Sequence, residues 1–512
     1  MKPQQLLNEA AAVGDAVRAH VRCARTSLPT LTAIAVAIAS SVVLTLGGCA
    51  SSAGIAPVAQ PITAASVGLG LGVDASASAV AAPALAADWW RAFGDPALDG
   101  LVERALAGSP GLKVAQARLD RAQALTAAAQ SADGLQVNGK LDATRQRFSK
   151  NGIYPPPLGG GIFTIGTAQI GASYEFDFFG RNRAAIEAAV GAQRAAQADV
   201  QAARLLLASN VARTYVQTGR WFEQRAVATR SLQQRDEMLA LIRQRVSGGL
   251  DTNVELRQGE GALPEARQQI EQLDEQIALA RHALAALTAQ APNALDSLVV
   301  PQLRVQAVAV PNALPADLLG RRADISAARW RIEAASSDVK SAQASFYPNI
   351  NLSAFIGLNA IGLDRLLRSG SEQYGIGPAL TLPIFDAGRL RANLRGKTAD
   401  LDAAIESYNG ALIDAVHDAA DQISSVRGIE RQQAQQTSAQ AAAESAYDLA
   451  TQRYKAGLGN YLTVLNAEAS VLNQRRLAAD LKARALDVQI ALIRALGGGY
   501  AEATTQTASA AH

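Results

Sequence analysis

The chain has 512 residues, 49% of them hydrophobic but 5% aromatic, a mix that suits closely packed helices with small side chains better than a large aromatic core. The formal net charge is +3 with both signs interspersed, which leaves no electrostatic footprint for nucleic acid. Two cysteines, Cys23 and Cys49, cannot make a disulfide framework, and with four histidines in the chain no serine acquires a plausible His and acid neighbour for nucleophilic catalysis.

Arg18, Arg22 and Arg25 precede an apolar run from Leu31 to Leu46. The run is too short to span a bilayer and ends in small residues, so 1–48 reads as a signal peptide. It closes on Leu46-Gly47-Gly48-Cys49, which resembles a bacterial lipobox. That resemblance implies cleavage before Cys49, a covalent lipid such as palmitate on its thiol, and Ala50 as a residue favouring outer-membrane sorting. Cys23 then falls in the removed part. Residues 49–87 are rich in Ala, Ser, Gly, Val and Pro without helix or strand periodicity, and read as the lipidated N-terminus and a flexible tether. Gly68-Leu-Gly-Leu-Gly72 lies there without the Lys-Ser/Thr of a phosphate loop.

Order is expected from Asp88-Trp89-Trp90-Arg91-Ala92-Phe93-Gly94-Asp95-Pro96, where Asp95 can cap a helix that has Pro96 at its first position. Trp89 and Trp90 read as packing residues. A second helix is expected over about Gly111 to Ala132, with Leu112, Ala115, Leu119, Ala122 and Leu125 at helical spacing. Leu135 to Arg147 then alternates, with Leu135, Val137, Gly139, Leu141 and Ala143 on one face. A breaker-rich turn, Ser149 to Gly161, leads to a second strand over Phe163 to Phe178. Ile350 to Leu358 and Tyr374 to Phe385 form a second such pair, linked by Leu363 to Glu372. No other segment has about 18 or more consecutive apolar residues, so a membrane crossing by the mature chain is expected through strands.

Two copies of one pattern run through the chain. Tyr174-Glu175-Phe176-Asp177-Phe178-Phe179-Gly180-Arg181 leads to Arg245-Val246-Ser247-Gly248-Gly249-Leu250, and Leu382-Pro383-Ile384-Phe385-Asp386-Ala387-Gly388-Arg389 leads to Arg453-Tyr454-Lys455-Ala456-Gly457-Leu458. Gly180 and Gly388 stand 208 residues apart, and so do Gly249 and Gly457. A gapless repeat of this length is an internal duplication, with repeat 1 over 88–300 and repeat 2 over 301–497. Between the markers run proline-free helical patterns, Asn182 to about Val246 and Arg391 to about Lys455, each about 100 Å long as a helix. Each returns after its glycine turn, over Val254 to Gln290 and Tyr461 to Leu496. Pro264 predicts a kink or break in the first return helix. Ala184, Ala188, Ala195 and Ala202 allow close helix approach. Pro292, Pro301, Pro311 and Pro315 mark the joint between repeats, and 498–512 reads as a disordered tail.

Four strands leave two unpaired edges in lipid, so several copies must close one barrel, and three copies give 12 strands, within the range of outer-membrane barrels. The long helices are too polar on one face for lipid and must project into water.

The ordered set of motifs resembles the outer membrane factor (TolC-like) family, in its lipoprotein branch of efflux channels. It is carried by Leu46 to Cys49, Asp88 to Pro96, Tyr174 to Arg181, Phe346-Tyr347-Pro348-Asn349-Ile350, Pro383 to Arg389 and the two glycine turns, and it covers roughly residues 88 to 496. Arg322-Ala323-Asp324-Ile325 departs from it, the family having Pro before Asp-Ile. The resemblance implies an α+β membrane protein: a homotrimer with a 12-stranded β-barrel in the outer membrane, four strands per chain, continued by a periplasmic α-helical barrel. It implies docking to a periplasmic adaptor and an inner-membrane pump, no catalytic residue and no cofactor beyond the lipid on Cys49. The expected function is the passive exit duct of a tripartite efflux system for drugs or other small toxic compounds. The alternatives are the exit duct of a type I protein secretion system and a periplasm-spanning structural lipoprotein.

The turns are the docking candidates: Arg245, Gly248, Gly249 and Leu250 in the first, Arg453, Lys455, Gly457 and Leu458 in the second, with the glycines permitting a tight turn and close approach. At the pore mouth, where TolC-like channels often carry aspartates, the matching positions are Thr463 and Asn466. An uncharged constriction helped by Tyr461 and Leu462 is expected, with weaker block by divalent cations. His417, Asp418 and Asp421 suggest a metal cluster, but two ligands on one helix face fall short of the three or four zinc takes, and the reading is a solvated or pore-lining face.

Overall fold

The computed structural model describes residues 51–62, 86–300 and 320–501. The signal peptide, Cys49 and its lipobox, the Gly68–Gly72 stretch, Pro301, Pro311, Pro315 and residues 502–512 lie outside them. In chain order the elements are α1 (Pro96–Gly108), α2 (Pro110–Ala132), β1 (Gln136–Arg147), β2 (Ile162–Phe176), α3 (Arg181–Ser247), α4 (Asn253–Leu287), α5 (Ala323–Ala344), β3 (Asn349–Ile361), β4 (Glu372–Thr381), α6 (Arg389–Lys455) and α7 (Tyr461–Ala495). Two compact units result, each drawing on both halves of the chain. One is Ala129–Ile186 and Ser336–Asp400 with the N-terminal stretch to Pro57, and the other takes Val58–Ala128, Glu187–Ala335 and everything from Leu401 on. No helix among the described residues is long and apolar enough to cross a membrane.

The first unit is built on one antiparallel sheet, in order β1-β2-β3-β4. Its register sorts the side chains. Val137, Leu141 and Ala143 stand beside Ala172, Ala168 and Gly166, which stand beside Ala354, Leu358 and Ala360. Ile170 pairs with Ile356, which pairs with Tyr374, and Ala354 pairs with Ile376. This face is apolar yet open: Leu141 is 81% exposed, Tyr374 83% and Ile376 76%. The opposite face carries Asn138, Lys140, Asp142, Gln169, Ser173, Asn351 and Gln373, with Asn359 Nδ2 donating to Thr167 Oγ1 at 3.0 Å and Gln373 Nε2 to Gln169 Oε1 at 3.1 Å. An exposed apolar face backed by a polar one is the pattern of a strand between lipid and a water-filled lumen. β1 and β4 each have one unpaired edge. Pro378, which has no N–H, sits on the edge strand β4, where a missing donor is tolerated.

The strands differ from expectation at their ends. β2 stops at Phe176, because the Phe178 N–H turns back to the Phe176 carbonyl and the Asp177 carboxylate accepts from the Arg183 N–H at 2.8 Å. β4 stops at Thr381 rather than Phe385, short of Pro383, and the Asp386 carboxylate accepts from the N–H groups of Gly388 and Leu390 at 3.0 and 2.7 Å. The Gly-Arg markers thus begin helices rather than end strands, with Gly180 and Gly388 at φ +76° and +87°. β3 runs on to Ile361, three residues beyond the expected Leu358.

In the second unit, Trp89, Trp90, Phe93, Leu98, Leu101 and Val102 form a core with Val211 and Tyr215 of α3, Leu284 of α4, and Leu486, Ile490 and Ile493 of α7. Asp95 caps α1 by accepting from the Ala97 N–H at 2.9 Å, and its other oxygen accepts from the Tyr215 hydroxyl at 2.6 Å. Burial, then that bond, pushes the Tyr215 phenol up. Arginines of α3 pair with acids of α7 in antiparallel order: Arg213 with Asp487 at 2.5 Å, Arg220 with Asp480 at 2.6 Å, Arg235 with Glu468 at 2.8 Å. The exposed rungs add little stability, but they fix which helix lies against which. Ala188 and Ala195 are buried on α3, while Ala202 is half-buried.

Three sequence expectations change here. α4 continues through Pro264 without a break, because Ala262, Leu263 and Ala266 are buried and tertiary packing carries the helix past the missing N–H. The tether is held at its start. Arg391 binds the carbonyls of Ser51 and Ala53, Asp402 accepts from the N–H groups of Val58 and Ala59 at 2.9 Å, and Asn409 accepts from that of Ile62 and donates to the Gln60 carbonyl. The tail is ordered through its first residues. Gly497, at φ +92°, lies so close to the backbone that a Cβ would stand 2.1 Å from the Arg321 carbonyl oxygen, and the Tyr500 hydroxyl lies 3.3 Å from that of Ser326. Ala323 opens α5, and Asp418 pairs with Arg322 at 3.7 Å and Arg494 at 3.5 Å.

Candidate functional site

The two long hairpins end in the same turn. In the first, the Gly249 N–H bonds to the Val246 carbonyl at 3.0 Å and the Leu250 N–H to the Arg245 carbonyl at 2.8 Å. In the second, Gly457 bonds to Tyr454 at 3.0 Å and Leu458 to Arg453 at 2.8 Å. This pair of bonds closes a helix through a left-handed residue, and Gly249 and Gly457 supply it at φ +70° and +72°. A Cβ there would meet no atom within 4 Å, so the glycines answer to backbone conformation and to whatever approaches from outside. Leu250 and Leu458 are about 70% exposed, at 69% and 70%, beside exposed Gly248, Arg453 and Lys455. Each turn thus presents one apolar side chain to solvent.

The following helices start differently. Thr252 and Glu255 form a reciprocal capping box at α4, with the Thr252 N–H donating to Glu255 at 2.9 Å. At α7, Asn460 accepts from the Thr463 N–H at 3.0 Å, and the Thr463 hydroxyl donates to the same oxygen at 2.6 Å. Thr463 and Asn466 are both exposed on α7. Neither carries a charge, so this side of the second turn presents a neutral polar surface.

Two candidates from the sequence face inward instead. Arg245 gives both guanidinium arms to Asp251, at 2.9 and 3.2 Å, and lies 4.7 Å from the centre of the Tyr454 ring. Its side chain is 13% exposed, so it braces the turn and is spent before any partner arrives. Tyr461 is 4% exposed, packed 5.9 Å from Tyr454 among Met238, Ile242 and Val464, so its ring is a packing element rather than a group lining an opening. Burial pushes its phenol up to about 12.

The pairing that joins the turns is that of Tyr454 with Asp251. The fully buried Tyr454 sends its hydroxyl to the Asp251 carboxylate, beside the Arg245 guanidinium. Hydrogen bonds from Arg245, with one from Tyr454, hold the Asp251 carboxyl below the ordinary range against the opposing effect of burial. Burial, and then the bond to Asp251, pushes the Tyr454 phenol up. Further up the bundle, Glu468 is 6% exposed and accepts from Arg235 at 2.8 Å and from the Ser231 hydroxyl at 3.2 Å, while Arg235 also donates to the Ala262 carbonyl at 2.9 Å. Sequence reading missed Asp251, Tyr454, Arg235 and Glu468 as site residues. The capping box Thr252-x-x-Glu255 was legible as a motif, but nothing local announces a contact between residues some 200 positions apart.

Residues 101–290 and 314–498 match the family described as outer membrane efflux protein. Among relatives, the fusaric acid resistance protein FusA of Burkholderia cepacia is 39% identical over 364 residues, covering 70% of this chain and 68% of that protein. The multidrug resistance outer membrane protein MdtQ of Escherichia coli O6:H1 is 34% identical over 428 residues, covering 81% and 88%. The crystal structure of the outer membrane protein VceC from Vibrio cholerae is similar with a TM-score of 0.77 and 37% identity, covering 81% of this chain and all of that one. The outer-membrane channel OprN is similar with a TM-score of 0.74 and 27% identity, covering 88% and 98%.

Proposed function

The chain belongs to the outer membrane efflux protein family, and from that premise we propose that it is the outer-membrane channel subunit of a tripartite efflux system. It is a passive exit duct for drugs or other small toxic compounds, as the names of its multidrug- and fusaric-acid-resistance relatives suggest. The observation that carries the reading is the sheet: four strands with an exposed apolar face, a polar face and two unpaired edges, continuous in sequence with 67-residue helices. Such a sheet is stable in lipid when copies close its edges, and three copies make a 12-stranded barrel.

The helices extend about 100 Å into the periplasm, bringing the glycine turns to a periplasmic adaptor bound to an inner-membrane pump. Gly248, Gly249, Leu250, Arg453, Lys455, Gly457 and Leu458 form the docking surface, supported by their exposure and by the open space around the glycines. Thr463 and Asn466 line the mouth as a neutral ring that binds divalent cations weakly. A lipid on Cys49 anchors the mature N-terminus in the outer membrane. The pump drives transport, and this component makes and breaks no bond.

The test is photo-crosslinking from Lys455 in living cells, with mass spectrometry of what is captured. A resistance-type adaptor is the expected product. An adaptor of the protein-secretion type would move the assignment to a secretion duct. Capture of no adaptor, with trimers intact, would overturn the docking role of the turns.

A further inference from the structure

The sheet has two chemically distinct ends. At one, every strand connects to a helix: α2 enters β1, β2 leaves to α3, α5 enters β3 and β4 leaves to α6. At the other lie the two hairpin loops, residues 148–161 and 362–371. Helices that project to the periplasm put these loops on the outer side of the membrane.

The loop end is basic. Residues 144–163 contain Arg145, Arg147 and Lys150 and no acid, and residues 361–373 contain Arg365 and Arg368 against Asp364 and Glu372. Both acids are engaged, Asp364 with Arg368 at 3.5 Å and Glu372 with the Gly370 N–H at 2.7 Å. Arg145, Arg147, Lys150 and Arg365 are exposed and make no ion pair among the described residues.

Their placement is more telling than their number. Arg145 and Arg147 belong to the same strand face as Val137, Leu141 and Ala143, the apolar face, and stand opposite Thr164 and Ile162. The second loop reaches this rim too. The Gly362 N–H bonds to the Thr164 carbonyl at 2.7 Å, and Leu363 and Leu366 close over Gly166, where a Cβ would meet them at 2.8 and 3.3 Å. Arg365 stands on that turn. At the opposite end of the same face are Tyr174 and Phe176, ring centres 5.1 Å apart. The lipid-side face therefore carries Tyr174 and Phe176 toward the helices, aliphatic residues with Tyr374 across the middle, and Arg145 and Arg147 with the single acid Glu372 toward the loop end. Unpaired guanidinium groups at the edge of an apolar band meet anionic headgroups, bury their stems in the band and bind phosphate through paired N–H groups.

We propose that Arg145, Arg147 and Arg365 form a binding site for the phosphates of an acylated glycolipid of the outer leaflet, of the lipid A class. The acyl chains lie along the apolar strand face, and Lys150, extended beside Gly160, adds a further charge. The site rests on the outer-membrane reading above, so membrane insertion is verified separately by fractionation and by the heat-sensitive mobility of trimers.

The experiment uses full-length protein purified from outer membranes, delipidated in detergent, with native mass spectrometry and a binding titration of bisphosphorylated lipid A. The triple variant Arg145→Gln/Arg147→Gln/Arg365→Gln is expected to bind about tenfold or more weakly, each interfacial charge carrying part of the loss. Arg145→Lys/Arg147→Lys/Arg365→Lys keeps the charge and loses the paired N–H bonds, so it binds more tightly than the glutamine variant and more weakly than wild type, and Lys140→Gln, on the polar face, changes nothing. High salt weakens binding, and dephosphorylated lipid A binds as poorly as the triple glutamine variant binds the intact lipid. Equal affinity of wild type and the glutamine variant for bisphosphorylated lipid A would overturn the proposal. So would equal affinity for the dephosphorylated lipid, or displacement by inorganic phosphate at the same concentration as lipid A. If the glutamine variant fails to assemble, the lysine variant and the dephosphorylated lipid decide the matter.

Discussion

Tyr454, the penultimate residue of the second long helix, donates its hydroxyl to the carboxylate of Asp251 in the turn that ends the first. The two residues come from different repeats, and each holds something else in place. Asp251 clamps Arg245 in a two-armed pair, and Arg245 lies across the Tyr454 ring. The docking turns are thus one braced structure, and loosening one contact loosens both.

Tyr454→Phe removes a hydrogen bond to an ionised group in a nearly buried setting, which costs roughly 1.5–3 kcal/mol. Amide hydrogen exchange over Gly248–Thr252 and Lys455–Asn460 is expected to quicken roughly tenfold or more, with trimers intact. Unchanged protection in both turns would show that the brace does not hold them.

The same brace has a pH dependence with a definite sign. The folded-state pKa of Asp251 is depressed, chiefly by Arg245. A depressed carboxyl stabilises the fold above its unfolded value of about 3.9, and that stability is lost as pH falls through the folded value. The turns should keep their protection at pH 5 and about 4.5, and open only below about 3.9. Opening between pH 6 and about 5, followed by hydrogen exchange, would assign the switch to another group.

Glu468 is the buried member of its ion pair with Arg235, and removing it leaves that guanidinium, among acids, only the longer contact to the exposed Glu265 at 3.4 Å. Glu468→Gln is expected to destabilise by about 3 kcal/mol, whereas the double change Arg235→Met/Glu468→Leu recovers most of the loss because both desolvated charges are gone. Denaturant midpoints of the assembled protein read the difference. Equal midpoints for the single and double variants would argue against a coupled pair.

Gly457 tests docking apart from folding. Alanine there suffers only the left-handed backbone cost, about 1–2 kcal/mol, since space for its Cβ is open. Gly457→Ala should retain most drug resistance, and Gly457→Trp should abolish it while trimers persist. Full resistance in the tryptophan variant would remove the second turn from the docking surface.

Much of this molecule was legible in its sequence. The 208-residue repeat, the long helices and the glycine turns follow from local chemistry: helical periodicity, absence of proline, and glycine where a left-handed residue closes a helix. The strand pairs were visible as alternating stretches, and Asp95 before Pro96 announced a cap that the structure contains. Strand ends were less legible, because Asp177 looks like a strand residue, and Asp386 the residue just past one, until their carboxylates are seen capping helix N–H groups. Arg245 and Tyr461 look like surface residues beside a turn, and Pro264 looks like a helix breaker. Whether they are so depends on neighbours far away in the chain.

The sequence by itself determined the elements and their order, since each is set by interactions within a few residues of the backbone. The tertiary structure alone decided which side chains remain free to meet a partner. Asp251 lies 203 residues from Tyr454, and Arg235 lies 233 from Glu468. No local pattern encodes such pairs, because the energy that selects them, desolvation of charge and ring offset by one specific neighbour, exists only once the helices are packed.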